Sequence, residues 1–423
     1  MNILIIAFYF PPEDSWAKMS SLRPHSWFKY WSRLGHNVYV LTDNKPTYSL
    51  SPDNKIVGVK YWPSRPQPSP DPNAATRILS YSRLRKSFSS FRAILKSGSF
   101  IQSSDFWLFP ALSESFRLHR SIGFDLVVST FGPPANHWIA SAMKKYFNVF
   151  WTADYRDLWS NNYYTNKNFF VKYLEHRLES SCISNANIVT TVSKGLSRHI
   201  NRIFDGETFV IENGFDLDDM TDTTPVMWDH KKFRMLYSGS FYPGKQDPFP
   251  LLRALNLLKD ANPELLHDVE VLIYGWNLEI LKKAVKDFRL EDIVLFGGSI
   301  PRHEILSLQK SVDALIFLDW NEINDDGVLT GKFFEYIFSG RPILAMGANP
   351  GSAVGTMLSD IGVGIHAGSS ISKITNFIRD GLTGDTLNYN PNNSIINNYT
   401  RKVLAEKMLN KIVFSMNHQN KSI

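Results

Sequence analysis

Short apolar runs alternate with stretches of helical period along most of the chain. A first series covers residues 3–7, 38–42, 126–129, 149–152, 188–192 and 209–211, and a second covers 235–237, 269–274, 293–296, 314–318, 342–345 and 362–365. The runs are brief and nearly unbroken by polar residues, as in strands covered by helices on both faces, and such strands belong to parallel sheets. Twelve strands are too many for one compact open sheet, so the pattern predicts two doubly wound α/β domains, each Rossmann-like. Residues 218–226 are polar, rich in turn formers and without helical period, which places the domain boundary at 221/222. The first domain is then 1–221 and the second 222–392. In the remainder, 393–423, Tyr399, Val403, Leu404, Met408, Leu409, Ile412 and Val413 recur near helical spacing and predict a terminal amphipathic helix.

Composition narrows the classes. Of 423 residues, 43% are apolar and 20% charged, an ordinary soluble globular balance. Lys and Arg number 46 against 40 Asp and Glu, a net charge of +6 that falls short of a nucleic-acid binder, so no nucleic-acid partner is expected. The single Cys182 excludes an intramolecular disulfide framework or a multi-cysteine metal cluster and fits a reducing compartment, the cytoplasm. The apolar run 3–10 has no basic residue before it and is closed by Pro11 and Pro12, so it reads as a buried strand and not a secretory signal. No uninterrupted apolar stretch reaches the ~18 residues of a membrane span. One segment breaks the rhythm: residues 77–120 hold eight basic and two acidic residues, a net +6, interleaved with aromatics. It fits a helical insertion with a solvated basic face, and equally an interfacial patch on anionic lipid headgroups.

The turn after the first strand, residues 7–18, contains no glycine, which argues against a nicotinamide or flavin site there. The second half differs. The strand at 235–237 runs into Ser238-Gly239-Ser240-Phe241-Tyr242-Pro243-Gly244-Lys245. A glycine at a strand end lets phosphate oxygens approach backbone amides, and Lys245 adds a point charge, although such turns are also common without a ligand. Further on, Asp325, Asp326 and Gly327 precede Val328, Leu329, Thr330 and Gly331, whose amides open a helix and form a second anion cradle. Lys332 and Glu335, three apart, point the same way. Glu335 sits among Phe333, Phe334, Tyr336 and Ile337 and so needs a partner, either an ion pair or ligand hydroxyls. In the first half, Asp154, Arg156 and Asp157 at a strand end fit an ion-pair cluster or a site. His137, after Pro133 and Pro134, fits a cap neighbour or a site. Asp216-Leu217-Asp218 reads as turn chemistry, and no metal is expected.

Together these residues resemble retaining glycosyltransferases of the two-Rossmann-domain (GT-B) architecture, particularly family 4. Phe8-Tyr9-Phe10-Pro11-Pro12 with the stretch 34–42 is similar to that family's first strand, loop, helix and second strand. Ser129-Thr130-Phe131-Gly132-Pro133-Pro134 with His137, then Ala153-Asp154-Tyr155-Arg156-Asp157-Leu158-Trp159, resembles a subgroup acting in bacterial surface polysaccharide assembly. The stretch 210–216 is similar to the motif leading out of the first domain. Gly239 to Lys245, and Gly331-Lys332-Phe333-Phe334-Glu335-Tyr336 with Gly340-Arg341-Pro342, are similar to the donor-site motifs.

The resemblance implies transfer of a hexosyl or N-acetylhexosaminyl group from a UDP- or GDP-linked sugar to a saccharide acceptor on a polyprenyl diphosphate. Anomeric configuration is retained and no cofactor or metal is required. The enzyme is then cytoplasmic and peripheral on the inner face of the cytoplasmic membrane, with the terminal helix packed back on the first domain. Lys245 would bind the diphosphate and Glu335 the ribose. Gly239, Ser240, Asp326, Gly327, Val328, Leu329, Thr330, Gly331 and Lys332 would surround the diphosphate, and Gly275, Trp276, Ser299 and Ile300 would flank the nucleoside. Pro11, Pro12, Ser15, Pro133, Pro134, His137, Asp154, Arg156 and Asp157 would form the acceptor side, with Asp154 and Arg156 close to the chemistry. Two positions depart from the family pattern: Ser240 stands for an arginine and Gly327 for a glutamate, with Lys332 and Asp325 or Asp326 as the nearest substitutes. The alternatives are an epimerase or hydrolase of nucleotide sugars on the same fold, and a transferase-like scaffold without turnover.

Overall fold

The computed structural model describes residues 1–11, 18–43, 55–62, 103–161, 168–221, 224–228, 232–320 and 329–419. The chain divides into two compact units, Met1–Ile211 with Ala405–Ile423, and Glu212–Leu404.

Among the described residues, unit 1 carries a seven-stranded sheet in the order β3-β2-β1-β4-β5-β6-β7. The strands are β1 (Asn2–Ile6), β2 (Asn37–Asp43), β3 (Ile56–Val59), β4 (Leu126–Thr130), β5 (Phe150–Tyr155), β6 (Ile188–Thr191) and β7 (Glu207–Val210). All pairs are parallel, and β1 lies between β2 and β4, with Ile3 opposite Val38 on one side and Leu126 on the other. The chain first winds outward to β3 and then returns to the far side of β1, so the order reverses between β1 and β4. β3 was not expected from the sequence. It is a four-residue edge strand, mostly half-buried and interrupted by Gly58, and therefore lacks the continuous apolar signature of a covered strand.

Unit 2 has a six-stranded parallel sheet in the order β10-β9-β8-β11-β12-β13. Its strands are β8 (Phe233–Ser238), β9 (Val269–Tyr274), β10 (Val294–Gly298), β11 (Ala314–Leu318), β12 (Ile343–Met346) and β13 (Gly364–His366). β8 and β11 are wholly buried, and the order reverses between them. Helices cover both faces, producing one core around Met235, Leu255, Val271 and Ile316 and another around Leu236, Phe317, Phe333 and Phe334.

The division falls at Ile211/Glu212, not at 221/222. Residues after 211 fasten to unit 2: the Phe215 N–H donates to the Tyr399 carbonyl at 3.1 Å, and Asp219 pairs with Arg302 at 2.9 Å. The same contact splits the C-terminal segment. The Arg401 N–H donates to the Phe215 carbonyl at 2.7 Å, and the helices Asn393–Asn397 and Arg401–Gln419 lie on either side of this pairing. Ile396 joins the core of unit 2. From Ala405 onward the helix belongs to unit 1, where the Trp31 indole donates to the Ala405 carbonyl at 2.9 Å and the Ser415 hydroxyl donates to Glu207 at 2.8 Å. No described helix is long and apolar enough to cross a membrane.

Candidate functional site

Ligands of open α/β sheets gather at the carboxyl ends of the strands, where the strand order reverses. In unit 2 this edge is built of glycines. Gly239 after β8, Gly275 after β9 and Gly298 closing β10 all have positive φ. The Gly239 N–H donates to Tyr274 and the Gly275 N–H to Gly298, both at 2.8 Å. A Cβ on Gly275 would lie 1.9 Å from the Gly239 carbonyl oxygen, so only glycine lets these two turns meet.

The helix Gly331–Phe338 brings chemistry to this edge. Tyr336 locks it in place by accepting the Ser238 N–H at 2.8 Å. Lys332, partly buried, reaches Gly239: its Nζ would be 3.2 Å from a Cβ there. The ammonium lies 4.4 Å from the Tyr237 ring centroid and 5.4 Å from that of Phe317. It makes no hydrogen bond to any described residue. Burial among these rings pushes the Lys332 pKa down to about 7, against the opposing pull of the Glu335 charge. The helix begins at Thr330, whose Oγ1 is buried with no hydrogen-bond partner among the described residues.

Glu335 is buried, and its partner is Arg302, which donates to Oε1 from Nη2 at 2.6 Å and from Nε at 3.2 Å. Arg302 also pairs with Asp219, and Arg401 lies 3.6 Å from the same carboxylate. Glu335 Oε2 takes part in no hydrogen bond to a described residue. The sequence did not point to Arg302; an arginine directly after the strand-end Ser299-Ile300-Pro301 was its only trace. Lys332 and Glu335 form no ion pair with each other among the described residues, although they share a helix face.

Lys245 lies in a tight turn, Tyr242 to Lys245, with Gly244 at φ 76°. Gln246 pins this turn by donating to the Leu318 carbonyl at the end of β11 at 2.8 Å. Ser240 gives its carbonyl to the Tyr237 hydroxyl at 2.8 Å. Trp276 and Ser299 are exposed at the ends of β9 and β10, with Ile300 half-buried beside them, while Leu329 is buried and accepts the Asn213 amide at 3.1 Å. Asp325, Asp326, Gly327 and Val328 lie outside the described residues. The Asp216 carboxylate accepts the Asp218 N–H at 3.1 Å, as a turn would have it.

In unit 1 two of the candidate residues are fully buried. Asp154 is fully buried and saturated: it accepts from Arg23 at 2.7 Å, from Thr130 at 2.9 Å and from Thr190 at 2.7 Å. It ties β5 to the helix Lys18–Arg33 through Arg23 and to the flanking strands β4 and β6 through Thr130 and Thr190, as an ion-pair cluster would. Its position in Trp151-Thr152-Ala153-Asp154-Tyr155, a strand with partners on both sides, gives the physical reason. His137 is likewise fully buried. Its Nδ1 lies 2.7 Å from the Ser129 hydroxyl, which also accepts from the Trp151 indole at 2.8 Å. Burial pushes its pKa down to about 3, against the Asp154 charge, so the ring is neutral. Arg156 and Asp157 remain at the carboxyl edge, half-buried and 3.5 Å apart, with Arg156 laid over Gly132. Pro133 is buried, while Pro134 and Pro11 are half-buried. Pro12 and Ser15 lie outside the described residues.

No protein-family model matches the sequence, and no curated protein does. Solved structures do match. A glycosyltransferase from Rickettsia africae ESF-5 superposes with a TM-score of 0.62 at 16% identity, covering 98% of each chain. The apo lipopolysaccharide outer core galactosyltransferase WaaB gives 0.56 at 13% identity over 98% of this chain and 100% of that one. The UDP-GlcNAc 2-epimerase of Methanocaldococcus jannaschii gives 0.54 at 11% over the same shares. Likeness at these identities establishes the fold alone: two Rossmann-like α/β domains of the GT-B kind, a fold on which sugar transfer and sugar epimerisation both occur.

Proposed function

We propose that the protein is a retaining glycosyltransferase. In this reading it moves a sugar from a UDP- or GDP-linked donor to a saccharide on a polyprenyl diphosphate, at the inner face of the cytoplasmic membrane, in surface polysaccharide assembly. The observation that carries the reading is the ammonium of Lys332, without a hydrogen-bond partner among the described residues and held against the Gly239 turn beside the start of the helix Gly331–Phe338. A glycine turn, a helix N-terminus and a lysine set for charge pairing suit a diphosphate. The second oxygen of Glu335, which bonds no described residue and is oriented by Arg302, suits the ribose hydroxyls. A lipopolysaccharide outer core galactosyltransferase on the same fold is in keeping with sugar transfer in surface polysaccharide assembly.

The chemistry asked of these residues is electrostatic. The bond from the anomeric carbon to the diphosphate breaks with its electron pair going to the leaving oxygen. Lys332, Lys245 and the amides of Leu329 to Gly331 stabilise that growing charge. The acceptor hydroxyl bonds to the same face of the sugar and passes its proton to the leaving diphosphate, so no separate base is required.

The first test is thermal stability in the presence of UDP, GDP, ADP or CMP, for the wild type and Glu335→Ala. Selective stabilisation by one diphosphate, lost in the variant, is the expected result. Indifference to all four would move the reading to a scaffold, as Ser240 and Gly327 suggest. An epimerase fits the fold equally well. It would interconvert the nucleotide sugar without an acceptor and without releasing the nucleotide, which proton NMR of the donor resolves directly.

A further inference from the structure

The sheet of unit 2 ends on an open edge. Among the described residues its last strand, β13, pairs with β12 alone, where the Ile343 N–H donates to the Val363 carbonyl and the Ala367 N–H to the Ala345 carbonyl, both at 2.8 Å. The main chain of 363, 365 and 367 therefore faces β12, and the alternation along a strand turns that of Gly364 and His366 outward. Residues 388–390 cover the start of this edge: the Asn390 N–H donates to the Gly362 carbonyl at 2.8 Å, and Val363 bridges to Tyr389. Beyond that cover, the Gly364 carbonyl and the His366 N–H face outward, and neither bonds a described residue.

The helices Ala353–Ile361 and Ile371–Thr383 pack on opposite faces of the sheet, the first through Val354 and Leu358 and the second through Ile374 and Ile378. Between them and β13 lies a cavity of about 620 Å³. The second helix gives it Lys373, Asn376 and Asp380 from one face, and Asn388 adds another amide. Lys373 and Asp380 stand two turns apart, about 10 Å along the axis, so the lining carries one ammonium and one carboxylate at separate ends. The His366 ring is engaged inward: its Nδ1 accepts the Gly368 N–H at 3.1 Å and its Nε2 lies 3.3 Å from Asp319. Ile365 and Phe377 supply apolar wall. Balanced charge points to a neutral ligand, and amides that both donate and accept suit hydroxyl groups. The volume is that of a small-molecule site, and two main-chain groups are too few to seat an added peptide strand. The described residues hold no cluster that could bind a metal ion.

We propose that this cavity is a second saccharide site, taking one or two neutral sugar rings outside both the donor and the acceptor residues named above. Asn376, Asn388 and the His366 N–H bond the hydroxyls, the Gly364 carbonyl accepts from one of them, and Ile365 and Phe377 meet the C–H face of a ring. The ligand class comes from this lining. The purpose, which is to hold a saccharide product or a growing chain on unit 2 between turnovers, rests on the glycosyltransferase reading.

The test is calorimetric titration of the full chain with the methyl glycosides of glucose, galactose, mannose, rhamnose, N-acetylglucosamine and N-acetylgalactosamine, and with inorganic phosphate as the charged comparison. Amide hydrogen exchange across 355–388 is followed in parallel. The variants are Asn376→Ala with Asn388→Gly, a residue suited to the left-handed backbone at 388, and Asn376→Trp, which fills the cavity. The expected result is that at least one glycoside binds and slows exchange at His366. The double variant should weaken that binding about tenfold or more and Asn376→Trp should abolish it, with melting temperatures unchanged. Absence of binding by every glycoside overturns the proposal, as does binding that both variants retain in full. Protection of this segment by phosphate in place of any sugar makes it an anion site around Lys373 and also overturns it. Each titration is repeated with saturating UDP or GDP and with Glu335→Ala. Sugar binding that survives both stands even if the donor reading fails, whereas sugar displaced by a nucleotide belongs to the donor site and overturns the second one.

Discussion

At residue scale, Lys332 carries the sharpest consequences. Its ammonium is kept below about pH 7 and lost above it, whereas an unfolded chain keeps the proton up to the ordinary lysine range. Diphosphate affinity should therefore fall as pH rises from about 6 to 8 in the wild type and stay flat in Lys332→Met, by calorimetric titration at each pH. Between the folded and unfolded values the unfolded state binds more protons, so wild-type stability rises with pH there. Lys332→Met should accordingly melt higher than wild type at about pH 6, with the difference narrowing by about pH 8, while kcat/KM falls roughly a hundredfold. Asp154→Ala should act in the opposite sense. Removing one partner of the buried Arg23 pair should cost about 3–5 kcal/mol in denaturant unfolding, with the activity of the folded fraction kept. The sequence identified Glu335 as a buried carboxylate in need of a partner because its neighbours are apolar. It could not supply Arg302, 33 positions away, since only the packing of two helices brings them together. It left Asp154 and His137 between a structural and a site role, because a polar residue exposed at a strand end and one buried against the sheet look alike in one dimension.

At the scale of elements, the strands were the most legible part. Covered parallel strands announce themselves as apolar runs, and all of the twelve expected runs overlap a strand in the structure. The half-exposed β3 does not announce itself. The terminal helix was readable as a helix but not as two, because its interruption comes from the backbone pairing of Phe215 with Tyr399 and Arg401. The glycine edge of unit 2 makes a direct prediction. Gly275→Ala would place a methyl group 1.9 Å from the Gly239 oxygen at a φ of 147°, so the β8 and β9 turns must separate. Strain and overpacking together should cost about 3 kcal/mol in chemical denaturation, and diphosphate binding should be lost at temperatures where the protein is still folded.

At the scale of the whole molecule, two α/β domains followed from strand count alone, but the position of the division did not. Polar, turn-rich residues suggest a linker, yet Asp219 in that stretch is tied to Arg302 and Arg401 of unit 2. Long-range ion pairs leave no local pattern. Unit 1 is discontinuous, and removing residues 405–423 should lower its stability selectively, because Trp31 and Glu207 lose their partners there. Scanning calorimetry should show one transition moved down and the other held. The same discontinuity sets an order of events during synthesis. Unit 2 is complete in sequence before residues 405–423 have been made, so it can fold on the ribosome while unit 1, begun first, still lacks its closing helix. Of the two units, the one begun first is thus the second to be finished, and until then the surface around Trp31 and Glu207 that the helix will cover stays open to whatever chaperone attends the nascent chain.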